Sequence, residues 1–268
     1  MAEIDASLKG QYAQANGLNI YYEKYGSGEP LLLLHGGTMT SKSFGPLIPT
    51  LAEHFQVIAP DLRGHGQTIN PSEKFSYRLL ADDIAAFIET LGLDRPLICG
   101  YSDGGQIALE LGMHYPNQMR CMVVGAAWFK FSDSYIQVLQ SMSMESPGKV
   151  NIDKLKQGMP QMVGFWQSLH SPTHSSDYWE TLLTQISTMW FTPLNYTAED
   201  FQKIKIPTLI LIGDRDPVVP VEEVVEMYRS IAGAELAILP QSDHSLPIAR
   251  VELFQTIVLD FLTRYKDK

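Results

Sequence analysis

Hydrophobic positions along the chain follow two periods, and the switches between them lay out the elements. Lys9 to Tyr25 alternates well enough for two strands, joined by a turn at Asn16-Gly17. Leu31 to Leu34 is an unbroken apolar run, as expected of a parallel strand covered on both faces, and it opens into the turn His35-Gly36-Gly37. Phe55 to Pro60 repeats the pattern and leads into Asp61-Leu-Arg-Gly-His-Gly66. From Tyr77 to Leu91 the period changes: Ile84, Phe87, Ile88 and Leu91 share one helical face, and Gly92 closes it. Leu97 to Tyr101 predicts a further strand. It is followed at once by helical spacing (Ile107, Ala108, Leu111) that Pro116 stops, and then by the buried run Met119 to Gly125. Strand–helix alternation of this kind predicts a parallel sheet with helices on both faces.

Between Phe129 and Ala198 the alternation breaks. Methionines and aromatics crowd this stretch, Ser134-x-x-Gln137 and Asp177-x-x-Glu180 read as helix starts, and Pro147-Gly148 and Ser171-Pro172 read as breaks between helices. We read 129–198 as a helical lid inserted into a core made of 1–128 and 199–268. Most of its large apolar side chains are expected to form the lid's own core, and a minority to face a gap above the sheet. Alternation resumes at Pro207 to Gly213, continues with a helix after Pro220 (Val221, Val224, Val225, Tyr228, Ile231) and the strand Glu235 to Leu239, and finishes with an amphipathic helix (Val251, Phe254, Ile257, Val258, Phe261, Leu262). Arg264 to Lys268 reads as a solvated, charged tail.

Composition narrows the partners. A net charge of −10 without a Lys/Arg cluster argues against nucleic acid and anionic membranes. Cys99 and Cys121 lie in predicted buried strands, which favours free thiols in a reducing compartment. Met1 to Ala6 has neither a basic nor an apolar signal-peptide region, and no run of 18 apolar residues occurs, so a soluble cytoplasmic protein is expected. No His/Cys/Asp spacing resembles a zinc site, and neither a dinucleotide fingerprint nor a phosphate loop is found, so neither metal nor cofactor is expected.

The chemistry gathers at three strand ends. Gly100-Tyr-Ser-Asp-Gly104 places Ser102 on a sharp turn between strand and helix, which holds its hydroxyl clear of the backbone. Asp216 follows Pro207 to Gly213, and His244 follows Glu235 to Leu239. Ends of parallel strands lie along one edge of a sheet, so the three can meet although they are far apart in sequence. A serine hydroxyl is a poor nucleophile until a histidine takes its proton and a carboxylate orients that imidazole. His35 and His65 read as structural turn residues; His54, His114, His170 and His174 fall on helix ends or loops.

With His35-Gly36-Gly37, Asp61-x-Arg63-Gly64-x-Gly66, Gly213-Asp-Arg-Asp216 and Val219-Pro220 in register with the Ser102 turn and Asp243-His244, the chain resembles the α/β-hydrolases over nearly its whole length. The resemblance implies a mostly parallel eight-stranded sheet with a helical cap inserted after the sixth strand. It implies Asp216 as the triad acid, with Asp214 holding the turn and Asp243 a loop neighbour. It also implies an oxyanion hole made by the N–H groups of Gly37 and Asp103. Phe44 stands where many relatives carry tryptophan, and Trp128, Trp166 and Trp190 are expected to join it on the pocket wall.

The variant Gly-x-Ser-Asp-Gly-Gly is similar to that of valacyclovir hydrolase-like members, which implies that Asp103 pairs with a substrate's α-ammonium. Alternatively, its carboxylate turns into the start of the helix that follows. The expected function is hydrolysis of small-molecule carboxylic esters or lactones with small, mainly apolar acyl groups, through an acyl-enzyme on Ser102. The alternatives are an α-amino acid ester hydrolase, a cofactor-free perhydrolase or a non-catalytic receptor of the same fold.

Overall fold

The computed structural model describes residues 10–170 and 174–267. The absence of a signal sequence read from Met1 to Ala6 and the break at Ser171-Pro172 both lie outside the described residues. The chain starts with a hairpin of β1 (Gln11–Ala15) and β2 (Leu18–Tyr25), turned by Asn16 and Gly17 at φ of 45° and 75°. Two consecutive positive φ values match the twist of the strands they join. Then come β3 (Pro30–Leu34), α1 (Ile48–Ala52), β4 (Gln56–Pro60), α2 (Tyr77–Thr90), β5 (Leu97–Tyr101), α3 (Asp103–His114) and β6 (Met122–Gly125).

The strand order is β1-β2-β4-β3-β5-β6, continued by β9 (Thr208–Gly213) and β10 (Glu235–Leu239), which are separated by α9 (Val221–Ser230). Only β1 and β2 run antiparallel to their neighbours. All residues of β5, β6 and β9 are buried, which requires cover on both faces of the sheet. β1 instead alternates between exposed and buried, as a one-sided edge strand does. Register pairs Leu34 with Gly100, Tyr101 with Gly125, and Leu239 with Gly213. The segments leaving β3, β5, β6, β9 and β10 therefore emerge along a single rim.

Between β6 and β9 lie α4 (Asp133–Ser141), β7 (Met144–Ser146), β8 (Lys149–Val150), α5 (Ile152–Gly158), α6 (Pro160–His170), α7 (Tyr178–Trp190) and α8 (Ala198–Phe201). The β7–β8 hairpin corrects the all-helical expectation. Pro147-Gly148 turns a hairpin with Gly148 at φ 71°, and its N–H donates to Ser187 Oγ of α7 at 3.0 Å. Strands of two and three residues are too short to leave a period-2 signature. The first of these helices is capped by Ser132, whose hydroxyl accepts from the Tyr135 N–H. Trp179, Leu182, Leu183, Ile186, Met189 and Trp190 form the buried stripe of α7.

The chain ends with α10 (Leu246–Ala249) and α11 (Val251–Tyr265). The charged tail is exposed or half-buried over its described residues, Lys268 lying outside them, and two contacts link it to the body. Arg264 forms a two-pronged pair with Glu235 of β10 at 2.7 Å on each side, and Arg120 Nη1 donates to the Lys266 carbonyl. Cys99 and Cys121 are buried free thiols, and desolvation pushes both up to about 12. Among the described residues no helix is long and apolar enough to cross a membrane.

Candidate active site

Ser102 joins β5 to α3 at φ 55° and ψ −120°, a conformation that persists only where its surroundings over-determine it. They do so here. A Cβ on Gly100 would collide with the Gly104 carbonyl, and one on Gly104 with the Leu34 carbonyl, so strand and helix pass as closely as glycine allows. The Ser102 N–H donates to the Gly125 carbonyl at 2.8 Å, and its own carbonyl accepts from the Gln106 N–H at 3.0 Å. Its side chain makes no cap for the helix.

Ser102 Oγ instead lies 3.0 Å from His244 Nε2, and His244 Nδ1 lies 2.8 Å from Asp216 Oδ2. The other oxygen of Asp216 accepts from the N–H groups of Val218 (2.8 Å) and Val219 (3.0 Å). The carboxylate is fully enclosed, whereas the imidazole remains a quarter exposed. Tyr101 packs beside the imidazole, ring centres 5.7 Å apart. Asp214 accepts from the Ser242 N–H at 3.1 Å and so joins the turns after β9 and β10, while the exposed Asp243 binds the backbone and hydroxyl of Ser245.

The loop after β3 lies directly against the serine. A Cβ on Gly36 would sit 3.2 Å from Ser102 Cβ, and one on Gly37 would strike the Asp103 carboxylate and Trp190. The loop is closed by the Met39 N–H donating to Gly36 (3.2 Å) and by the Thr38 hydroxyl donating to Gly37 (2.6 Å). His35 Nε2 accepts from the Leu62 N–H at 3.0 Å. Burial pulls His35 down to about 4 and His65 well below its ordinary range, so both rings are neutral at pH 7.

Asp103 follows neither expected orientation alone. Its carboxylate is buried and makes no cap on α3; it accepts from the Tyr77 hydroxyl at 2.8 Å and from Trp190 Nε1 at 2.9 Å. Desolvation pushes it up to about 6, opposed by these two hydrogen bonds and by the nearby His244. Tyr77 was legible only as a helix start. Its phenol also packs edge-on against Trp128, ring centres 5.8 Å apart.

Ser102, Asp103, Gly37 and His244 open on a cavity of about 340 Å³. Phe44, Trp128, Trp166 and Trp190, all expected on the wall, are there. Sequence reasoning did not single out Tyr135, Met142, Met162, Val218 and Ile248, which also line it. Neither Lys nor Arg is among the lining residues. Hydrocarbon, aromatic faces and thioethers dominate the rest of the wall, with the hydroxyl residues Thr38, Ser43 and Ser245 among them.

A serine on a strained turn, a carboxylate and an imidazole in that chain order, set on the rim of a mostly parallel eight-stranded sheet, are the arrangement of the α/β-hydrolase class. Residues 29–250 match the family model described as alpha/beta hydrolase fold, and the chain belongs to that family. It is 28% identical to the 2-hydroxy-6-oxo-6-(2'-aminophenyl)hexa-2,4-dienoic acid hydrolase of Metapseudomonas resinovorans, covering 96% of this chain and 92% of that one. Its identity to the serine hydrolase BPHL of Mus musculus is 25%, over 98% of this chain and 89% of the relative. The structure superposes on the meta-cleavage product hydrolase CumD of Pseudomonas fluorescens IP01 with a TM-score of 0.79 at 21% identity, over 95% and 98% of the two chains.

Proposed function

We propose that this hydrolase cleaves carboxylic esters or lactones of small, uncharged, mainly apolar acyl groups through an acyl-enzyme on Ser102. The observation that carries the reading is the Ser102–His244–Asp216 chain of hydrogen bonds, 3.0 and 2.8 Å long, opening on a cavity wall without a cation. Ser102 Oγ attacks the carbonyl carbon while His244 Nε2 takes its proton, and Asp216 holds the imidazole and stabilises its cation. The oxyanion is received by the N–H groups of Gly37 and Asp103, donors whose individual loss costs about 3 kcal/mol of barrier. His244 returns the proton to the departing alcohol, then activates a water that releases the acid. Residues 129–198 act as the cap that closes this chemistry off from bulk water.

The wall's charge separates this reading from hydrolysis of a dienoic acid, the activity in the name of the Metapseudomonas relative. A substrate carboxylate would meet no Lys or Arg on the wall and would face the carboxylate of Asp103. Two like charges in a site of low dielectric repel by several kcal/mol. A second reading, in which Asp103 receives an α-ammonium, is favoured by that same buried carboxylate, which holds two hydrogen bonds and no cation.

A matched ester panel tests both. Short-chain 4-nitrophenyl esters should turn over with an initial burst, and an ester bearing a terminal carboxylate should react at least about tenfold more slowly. If the amine reading is right, kcat/KM for an α-amino ester rises as pH passes about 6 and Asp103 ionises. Asp103→Asn then penalises that ester far more than its neutral counterpart. Equal losses on the two esters remove the amine reading. No burst and no turnover on any acyl donor remove the hydrolytic one.

A further inference from the structure

We propose that His170, on the last turn of α6, is a positioning residue for the loop that carries the Gly37 N–H; this rests on the reading above, in which that N–H receives the oxyanion. His170 Nε2 donates to the Thr38 carbonyl at 3.1 Å, and its Nδ1 accepts from the Gly66 N–H at 3.0 Å. The other side of Thr38 is held in the same way. Its N–H donates to His65 Nε2 at 3.1 Å, and His65 Nδ1 donates to the Arg63 carbonyl at 2.9 Å. Both polar groups of one backbone residue are thus gripped by imidazoles, one from the core and one from the inserted helices. The two rings lie 5.9 Å apart, edge to face.

Thr38 needs this grip. It sits at φ 60°, where a β-branched residue clashes with its own backbone and relaxes unless it is held. Gly37 is its immediate neighbour, and the Thr38 hydroxyl bonds the Gly37 carbonyl. A shift at Thr38 therefore moves the peptide that the oxyanion needs. Donors of this kind act only when aimed at the position the oxygen reaches in the transition state, so a displacement of about 1 Å is felt in rate by about a hundredfold.

Every ring nitrogen of His35, His65 and His170 is engaged by a backbone group, and among the described residues no group of three His, Cys, Asp or Glu could hold a metal ion. The contacts also fix the tautomer. Nδ1 of His170 must be bare to accept from an N–H, so its proton resides on Nε2. The charged or titratable groups facing it are His65, His35, His174 and Asp61; the Asp61 carboxylate is already engaged by the N–H groups of Ser41 and Gln67.

His170→Phe keeps the ring's bulk and removes both bonds, whereas His170→Gln keeps one donor and one acceptor. On a neutral 4-nitrophenyl ester, His170→Phe is expected to lower kcat by about ten- to a hundredfold with KM changed less than about threefold. Its affinity for a trifluoromethyl ketone, which forms the tetrahedral adduct, should weaken in step with kcat, and His170→Gln should recover part of both. Unchanged kcat and ketone affinity in a folded His170→Phe overturn the proposal, even where wild type is an active hydrolase. Wild type without turnover or burst overturns the hydrolytic reading instead. Histidine nitrogen NMR on the unaltered protein at pH 6 then decides the geometry, as it does if the variants fail to fold. A neutral ring protonated at Nε2 is expected; a proton on Nδ1, or a cationic ring, overturns it.

Discussion

Ser102→Ala is expected to abolish ester turnover, lowering kcat by roughly a millionfold toward the background left by binding and the oxyanion donors alone. The substitution deletes one oxygen and leaves the remainder of the site in place. Alanine tolerates the φ of 55° as well as serine does, and the bonds that hold this residue, to Gly125 and Gln106, are made by its backbone. The urea midpoint of unfolding should therefore move little while activity disappears. Loss of both together would mean that the serine is structural, and a drop of less than about tenfold would assign the hydrolysis to another group.

Asp216→Asn is expected to lower kcat by about 10⁴-fold at pH 7 through the wrong histidine tautomer. The asparagine oxygen can still accept from Val218 and Val219, which places its amide N–H₂ opposite His244 Nδ1. That nitrogen must then be bare, and the imidazole proton moves to Nε2, where it blocks abstraction from Ser102. Asp214→Asn provides the control. Its oxygen can go on accepting from Ser242, so turnover should stay within about tenfold of wild type. If Asp214→Asn inactivates and Asp216→Asn does not, the acid has been assigned to the wrong carboxylate.

Whatever rested on strand ends was legible in the sequence. A parallel sheet lines up the carboxyl ends of its strands, so Ser102, Asp216 and His244 could be brought together without knowing any contact between them. Gly100 and Gly104 were legible for a related reason: a strand turning directly into a helix leaves space only for hydrogen. The wall residues Trp128, Trp166 and Trp190 could be named from their bulk and their place near or within the inserted segment.

Contacts between segments that carry no local signal were not legible. Tyr77 looks like the first residue of a helix, and only the tertiary fold brings its hydroxyl to Asp103 across 26 positions. His170 sits on a helix end and reaches Thr38 across 132 positions. Nothing in the spacing of either residue announces a partner. The β7–β8 hairpin was missed because so few residues pair. A sequence pattern reports the faces that hydrophobic burial demands, and it is silent on which polar groups share a buried point.

The central claim is that Ser102 is an activated nucleophile, and a fluorophosphonate probe tests it most directly. After brief incubation at pH 7 the intact protein should gain the mass of a single phosphonyl group, digestion should locate it on the peptide containing Ser102, and Ser102→Ala should remain unlabelled. An unmodified protein after long exposure, or an adduct on any other residue, would contradict the account.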